Sequence, residues 1–186
     1  MHKHLTARTK HLFNLDVPDQ LGAFLNLVQH HGYPTPLLDW TYSPYVAAFF
    51  AYRGFTNDAA DKSDPKCKVR IHVLDRQLWE SHFQPDLRLL VPWFTIQFSE
   101  FIALDNPRSI PQQAVSMIVN VDDIEEFLSH AEKKTGPGLL RAIDLPKPER
   151  RRVMSELMKM GITAGSLFPG LDGACEEWKY RHFEIL

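Results

Sequence analysis

Cysteine is scarce, with two among 186 residues. Cys67 and Cys175 lie far apart and neither belongs to a C-x-x-C pair. A disulfide framework and a zinc-ribbon site are therefore excluded as organising elements, and both residues read as ordinary thiols of a reducing compartment. No window holds about 18 consecutive apolar residues, so no membrane-spanning helix is expected. Met1 to Lys10 carries Lys3, Arg8 and Lys10 without an apolar run, unlike a secretory signal peptide. A strong charge of one sign is also missing. The 21 basic and 23 acidic residues leave a net charge of −2, so nothing drives general association with nucleic acid or anionic lipid. Together these absences imply a cytoplasmic protein. Glycine is outnumbered, nine to thirteen, by proline, which points to rigid turns and short elements.

The remaining composition, 44% hydrophobic and 24% charged, is that of a globular chain. A chain of this length buries roughly 70% of its unfolded surface and needs no staples. Asp16 reads as a cap and Pro18 as a first-turn residue. Leu21, Phe24, Leu25 and Val28 then recur at helical spacing, which predicts a helix over 17–30 with one buried face, ended by Gly32 and Pro34. Ser43 and Pro44 open a second helix over 44–53 whose residues are apolar nearly all round, which predicts deep burial. Residues 56–67 read as an exposed loop. Val69, Ile71 and Val73 alternate with Arg70 and His72 as a half-buried strand. A short helix over 75–82, strands over 114–121 and 139–145, and helices over 122–134, 147–160 and 171–180 follow. Residues 182–186 read as a terminal strand, and residues 84–112 resist assignment. The fold class is α+β, a single mixed domain over 16–186 behind a flexible segment 1–15.

Chemistry concentrates between the first two helices, in Gln29-His-His-Gly-Tyr-Pro-Thr-Pro-Leu-Leu-Asp-Trp-Thr-Tyr-Ser-Pro44. Polar and aromatic groups crowd a connection flanked by buried helices, a common place for function. On an extended segment Asp39, Thr41 and Ser43 share one face, and Trp40 and Tyr42 the other. The amides opening the 44–53 helix could receive a phosphate. Each residue also has a purely structural role open to it: Ser43 as a cap, Asp39 as an anchor of loop amides, Trp40 as core. His30, His31 and Asp39 make a poor metal site because adjacent ring vectors diverge, and no metal is expected. Ser43 lacks a Gly-x-Ser-x-Gly elbow. Glu149-Arg-Arg-Arg152 reads as the solvated face of a helix.

This block closely resembles the signature of the FRG domain family. Gln29, His30, Gly32, Pro34, Thr35, Leu37, Leu38, Asp39, Trp40, Thr41, Ser43, Pro44, Ala47, Phe50 and Ala51 match it. Asn106-Pro-Arg108 with Pro-Gln-Gln113 resembles the family's Arg-plus-Gln-Gln-Gly segment, with Ala114 in place of Gly. Leu157–Gly161 and Leu167-Phe-Pro-Gly-Leu-Asp172 resemble its closing helix and turn. The family's aromatic-Arg-Gly motif is not found upstream of Gln29. Tyr52-Arg-Gly54 has the letters but follows the helix. The expectation is a domain lacking its N-terminal portion, completed by a partner protein or an oligomer.

The order of parts is also similar to that of ADP-ribosyltransferases, which implies a split sheet flanked by helices and NAD as cofactor. On that resemblance Gln113, Gln112 and Thr41 are the catalytic candidates. His30, Asp39, Trp40, Thr41, Tyr42, Ser43 and Arg108 are the cofactor-binding candidates. Convergence of Thr41, Ser43 and Gln113 in one cleft is the structural test of that assignment. The implied setting is a bacterial toxin or phage-defence system. The alternative is a non-catalytic module that binds a ligand or protein together with a partner chain. A nucleic-acid substrate in the cleft stays open as an alternative, without support from charge.

Overall fold

The computed structural model describes residues 2–9, 11–83 and 96–184. Helices α1 (His2–Thr6) and α2 (Pro18–His30) lead into strand β1 (Leu37–Thr41) and helix α3 (Pro44–Arg53). Helix α4 (Asn57–Asp61), strand β2 (Lys68–Leu74) and helix α5 (Arg76–His82) follow, then β3 (Ile96–Ser99), β4 (Ala114–Val119), α6 (Ile124–Thr135) and β5 (Leu140–Pro146). A 3-10 turn at Lys147–Glu149 runs into α7 (Arg150–Lys159), and α8 (Ala164–Leu167) and α9 (Leu171–Phe183) close the described chain. Mixed helix and sheet make this an α+β fold.

The strands form two separate antiparallel sheets, β1-β4-β3 and β2-β5. Register is clear in both: Asp39 faces Ser116 and Thr41 faces Ala114, while Ile71 faces Ile143. Three apolar clusters hold the elements. Val46, Phe49 and Tyr52 of α3 pack on Met154, Leu157, Leu167 and Phe168. Trp79, Ile96, Met117, Leu128 and Leu139 join the three-stranded sheet to α5 and α6. Phe13 packs on Ala23, Phe24, Leu27 and Val28. Phe13 lies in the segment read as a flexible lead, which also holds α1. A two-stranded ribbon is marginal alone, so β2-β5 depends on Val69 and Leu145 docking against the first cluster.

Several expectations change. Val17, not Asp16, takes the cap position of α2, and no side chain caps that end. The stripe of α2 rotates, burying Ala23 and Leu27 beside Phe24 and Val28, with Leu21 and Leu25 half-buried. Residues 56–67 are not all loop, because the Thr56 hydroxyl caps α4 by accepting from the Ala59 N–H. The helix read as buried all round has one buried face, and Phe50 stays 42% exposed. His182 and Phe183 continue α9 instead of starting a strand. Within the unassigned 84–112 span, Ile96–Ser99 is strand and residues 84–95 lie outside the described residues, as do residues 185–186 of the expected terminal strand. Among the described residues no helix is long and apolar enough to cross a membrane. Both cysteines are free and exposed.

Candidate functional site: a cleft between the two sheets

A cleft of about 670 Å³ lies where the sheets meet. The Leu38–Thr41 stretch of β1 and Ala114 and Ser116 of β4 form its wall on one sheet. Arg70, Ile71 and His72 of β2 contribute from the other. Ala47, Phe50 and Ala51 of α3, the end of α2, the 106–112 turn and Phe168 complete it. The volume falls within the range of roughly 300–1,000 Å³ typical of small-molecule sites.

The local chemistry explains why the chain turns here. Ser43 is buried and its hydroxyl accepts from the Val46 N–H at 3.3 Å, so α3 starts from a capped end directly after β1. The Thr41 hydroxyl donates to the Gln112 carbonyl at 2.7 Å and accepts from the Ser43 N–H at 3.1 Å. That ties the end of β1 to the turn before β4. The Gln112 amide donates to the Leu167 carbonyl at 2.9 Å, which fixes the turn to α8. Phe168 is held from behind by Gly173, where a Cβ would collide with the Phe168 carbonyl oxygen.

Of the residues singled out in the sequence, His30, Asp39, Trp40, Thr41, Arg108 and Gln112 line the cleft. Three lie outside that lining. Ser43 is the buried cap. The Tyr42 hydroxyl donates to Glu100 at 2.6 Å and also meets the Arg76 guanidinium. Gln113 is exposed, with φ of +47°, and its carbonyl accepts from the Tyr42 N–H at 3.1 Å. Thr41, Ser43 and Gln113 are thus neighbours in the chain path without converging on one cleft, so the expected catalytic role of Gln113 and the expected cofactor contacts of Ser43 and Tyr42 are not met by this arrangement.

Two aromatic residues matter more than the sequence indicated. Phe50 is exposed to the cleft and meets Phe168 edge-on, with centroids 5.9 Å apart. The Arg108 guanidinium lies 5.1 Å from the centroid of the Phe168 ring. Phe50 belongs to the quoted motif, but nothing local says which side of α3 stays open. Phe168 is distant in sequence, and only tertiary packing brings it to Arg108.

The electrostatics are uneven. Arg108 is half-buried and makes no ion pair among the described residues. Among the described residues Asp39 is the sole acid lining the cleft, and it likewise makes no ion pair. Its Oδ1 accepts from Gln29 Nε2 at 2.8 Å, and the Gln29 Oε1 accepts from the Thr35 hydroxyl. Burial lowers the His30 pKa below its ordinary value, with Arg108 and then His31 adding repulsion, which favours the neutral imidazole. Arg70 is already engaged, donating to both oxygens of Asp144. No group of three His, Cys, Asp or Glu among the described residues could hold a metal.

These features give a cleft of small-molecule size in which, among the described residues, Arg108 and Asp39 each lack an ion-pair partner. The FRG domain family model matches residues 1–61, about a third of the chain. It covers His30 through Ser43 and Phe50, while Arg108, Gln112 and Phe168 fall beyond it. No curated protein and no solved structure matches the chain.

Proposed function

We propose that the cleft binds a dinucleotide, NAD, in an ADP-ribosyltransferase-like domain. One observation carries this reading: a single cleft holds an uncompensated guanidinium, Arg108, and an uncompensated carboxylate, Asp39, beside an exposed ring, Phe50. NAD has matching parts, a diphosphate for Arg108, a pyridinium cation for Asp39 and planar bases for Phe50. The position between two small sheets, and the FRG signature over β1 and α3, support the same assignment. Thr41 and Gln112 serve as scaffold here, because their polar groups are engaged in holding the cleft wall. NAD supplies an activated ribosyl–nitrogen bond. The chain supplies orientation, charge complementarity and a proton acceptor. Consumption of NAD is how such a domain would serve a toxin or phage-defence system. Incubation with labelled NAD, with detection of released nicotinamide, tests the reading. Release above the rate in buffer supports it, and absence of release and of transfer at millimolar NAD removes it.

A second reading is a binding module without turnover, acting with a partner chain. The engagement of Thr41 and Gln112 in internal hydrogen bonds favours it. Saturable NAD binding without nicotinamide release, together with a stable assembly in light scattering, would select this reading over the first.

A further inference from the structure

The placement of Asp39 goes further than binding. It has no cationic partner among the described residues, and the group that holds it is the neutral amide of Gln29. An arginine or lysine in that place would have cancelled its charge; an amide orients it and leaves the charge intact. The orienting chain is anchored in backbone. The Leu37 N–H donates to the Thr35 hydroxyl at 3.2 Å, Thr35 donates to Gln29 Oε1, and Gln29 Nε2 donates to Asp39 Oδ1. Asp39 Oδ2 is left with no partner among the described residues. Across β4, Asp39 faces Ser116, another lining residue. A fixed charge, set on a strand and supported by a second layer of hydrogen bonds, is what stabilises charge that develops during a reaction.

We propose that Asp39 is the catalytic carboxylate of this cleft, stabilising positive charge as it develops on the ribosyl carbon. This rests on the reading of the cleft as an NAD site. The bond from the ribosyl carbon to the pyridinium nitrogen breaks, and its electron pair goes to that nitrogen, so nicotinamide leaves neutral. The acceptor's lone pair forms the new bond to the same carbon, on a hydroxyl, an amine or water. The acceptor's proton passes to the neutral His30 imidazole, which shares the cleft with Asp39. The required carboxylate thus comes from the first strand, whereas the late Gln112 and Gln113 provide no charge.

The test compares wild type with Asp39→Asn, which keeps the shape and the acceptor for Gln29. Calorimetry with NAD reads binding, and nicotinamide release under saturating NAD reads the step. Thermal melting within a few degrees of wild type confirms folding, as expected for an exposed position. The expected result is release slowed by about 10²–10³-fold, the usual loss when one electrostatic group is removed. NAD affinity is expected to fall by no more than about tenfold, one exposed charge contact. Release at the wild-type rate overturns the assignment, as does a loss that affinity alone accounts for. Wild type that binds NAD but releases no nicotinamide overturns the assignment and leaves the binding site standing. Wild type that neither binds nor cleaves NAD overturns both.

Discussion

Arg150 and Arg108 are the same chemical group in opposite situations. Arg150, in the run read from the sequence as a solvated helix face, is instead 3% exposed and held by hydrogen bonds. Its Nε donates to the Tyr52 carbonyl at 3.0 Å, and its Nη1 donates to Asn57 and, at 2.7 Å, to Glu184. Arg108 is half-buried against Phe168 and has no carboxylate among the described residues. A buried cation without its partner is costly, so Arg150 exists with its partners or not at all. An arginine placed in a cleft and left unpaired is instead available to a ligand anion. The difference separates groups consumed by the fold from groups the fold leaves over.

Breaking the Arg150 cluster carries the largest effect. Glu184→Ala leaves a buried guanidinium uncompensated and should cost roughly 3–5 kcal/mol in chemical denaturation. Arg108→Gln should change stability by less than about 1 kcal/mol, because no ion pair is lost. Its NAD affinity should fall by about 10–100-fold, since hydrogen bonds to charged groups are worth roughly 1.5–3 kcal/mol. Equal destabilisation by the two changes would erase the distinction. Phe50→Ala should weaken NAD binding by about fivefold, roughly 1 kcal/mol for a lost ring contact, with a small change in melting temperature.

The smallest effect is a pH dependence. The folded pKa of His30 lies below its ordinary value, so below that value the unfolded chain binds the proton first. The stability from neutral His30 is therefore present above about pH 6.5 and lost as pH falls through it. His30→Gln should flatten that slope in denaturation series between about pH 5 and 7.5. Arg108→Gln should move the His30 titration upward, read by proton NMR, because a repelling charge is removed. An unmoved titration would place Arg108 away from His30.

What the sequence made legible was local. The alternation of β2, the Ser43-Pro44 opening of α3 and the acids and lysines flanking α6 each signal an element through nearby residues, and each is present. Elements specified by distant packing were not legible. β3 is four residues long and owes its place to pairing with β4, with Ile96 opposite Val119. α8 is one turn, fixed by the reciprocal bonds of Thr163 and Ser166. In the cleft, the motif named the wall on β1 and later segments named Arg108, Gln112 and Phe168, but nothing local marked Arg70, Ile71 and His72 of β2 as lining. Tyr42 was a cofactor-binding candidate, and it is drawn away by Glu100 and Arg76, 58 and 34 residues distant. The helix of Phe50 is uniformly apolar, so no pattern marks the side that stays open.

The most direct test of the central claim is a calorimetric titration of NAD into wild type and Arg108→Gln side by side. Saturable binding by wild type, and binding at least about tenfold weaker in Arg108→Gln at an unchanged melting temperature, is the expected result. No heat with wild type at millimolar NAD, or equal affinity in the two proteins, would contradict it.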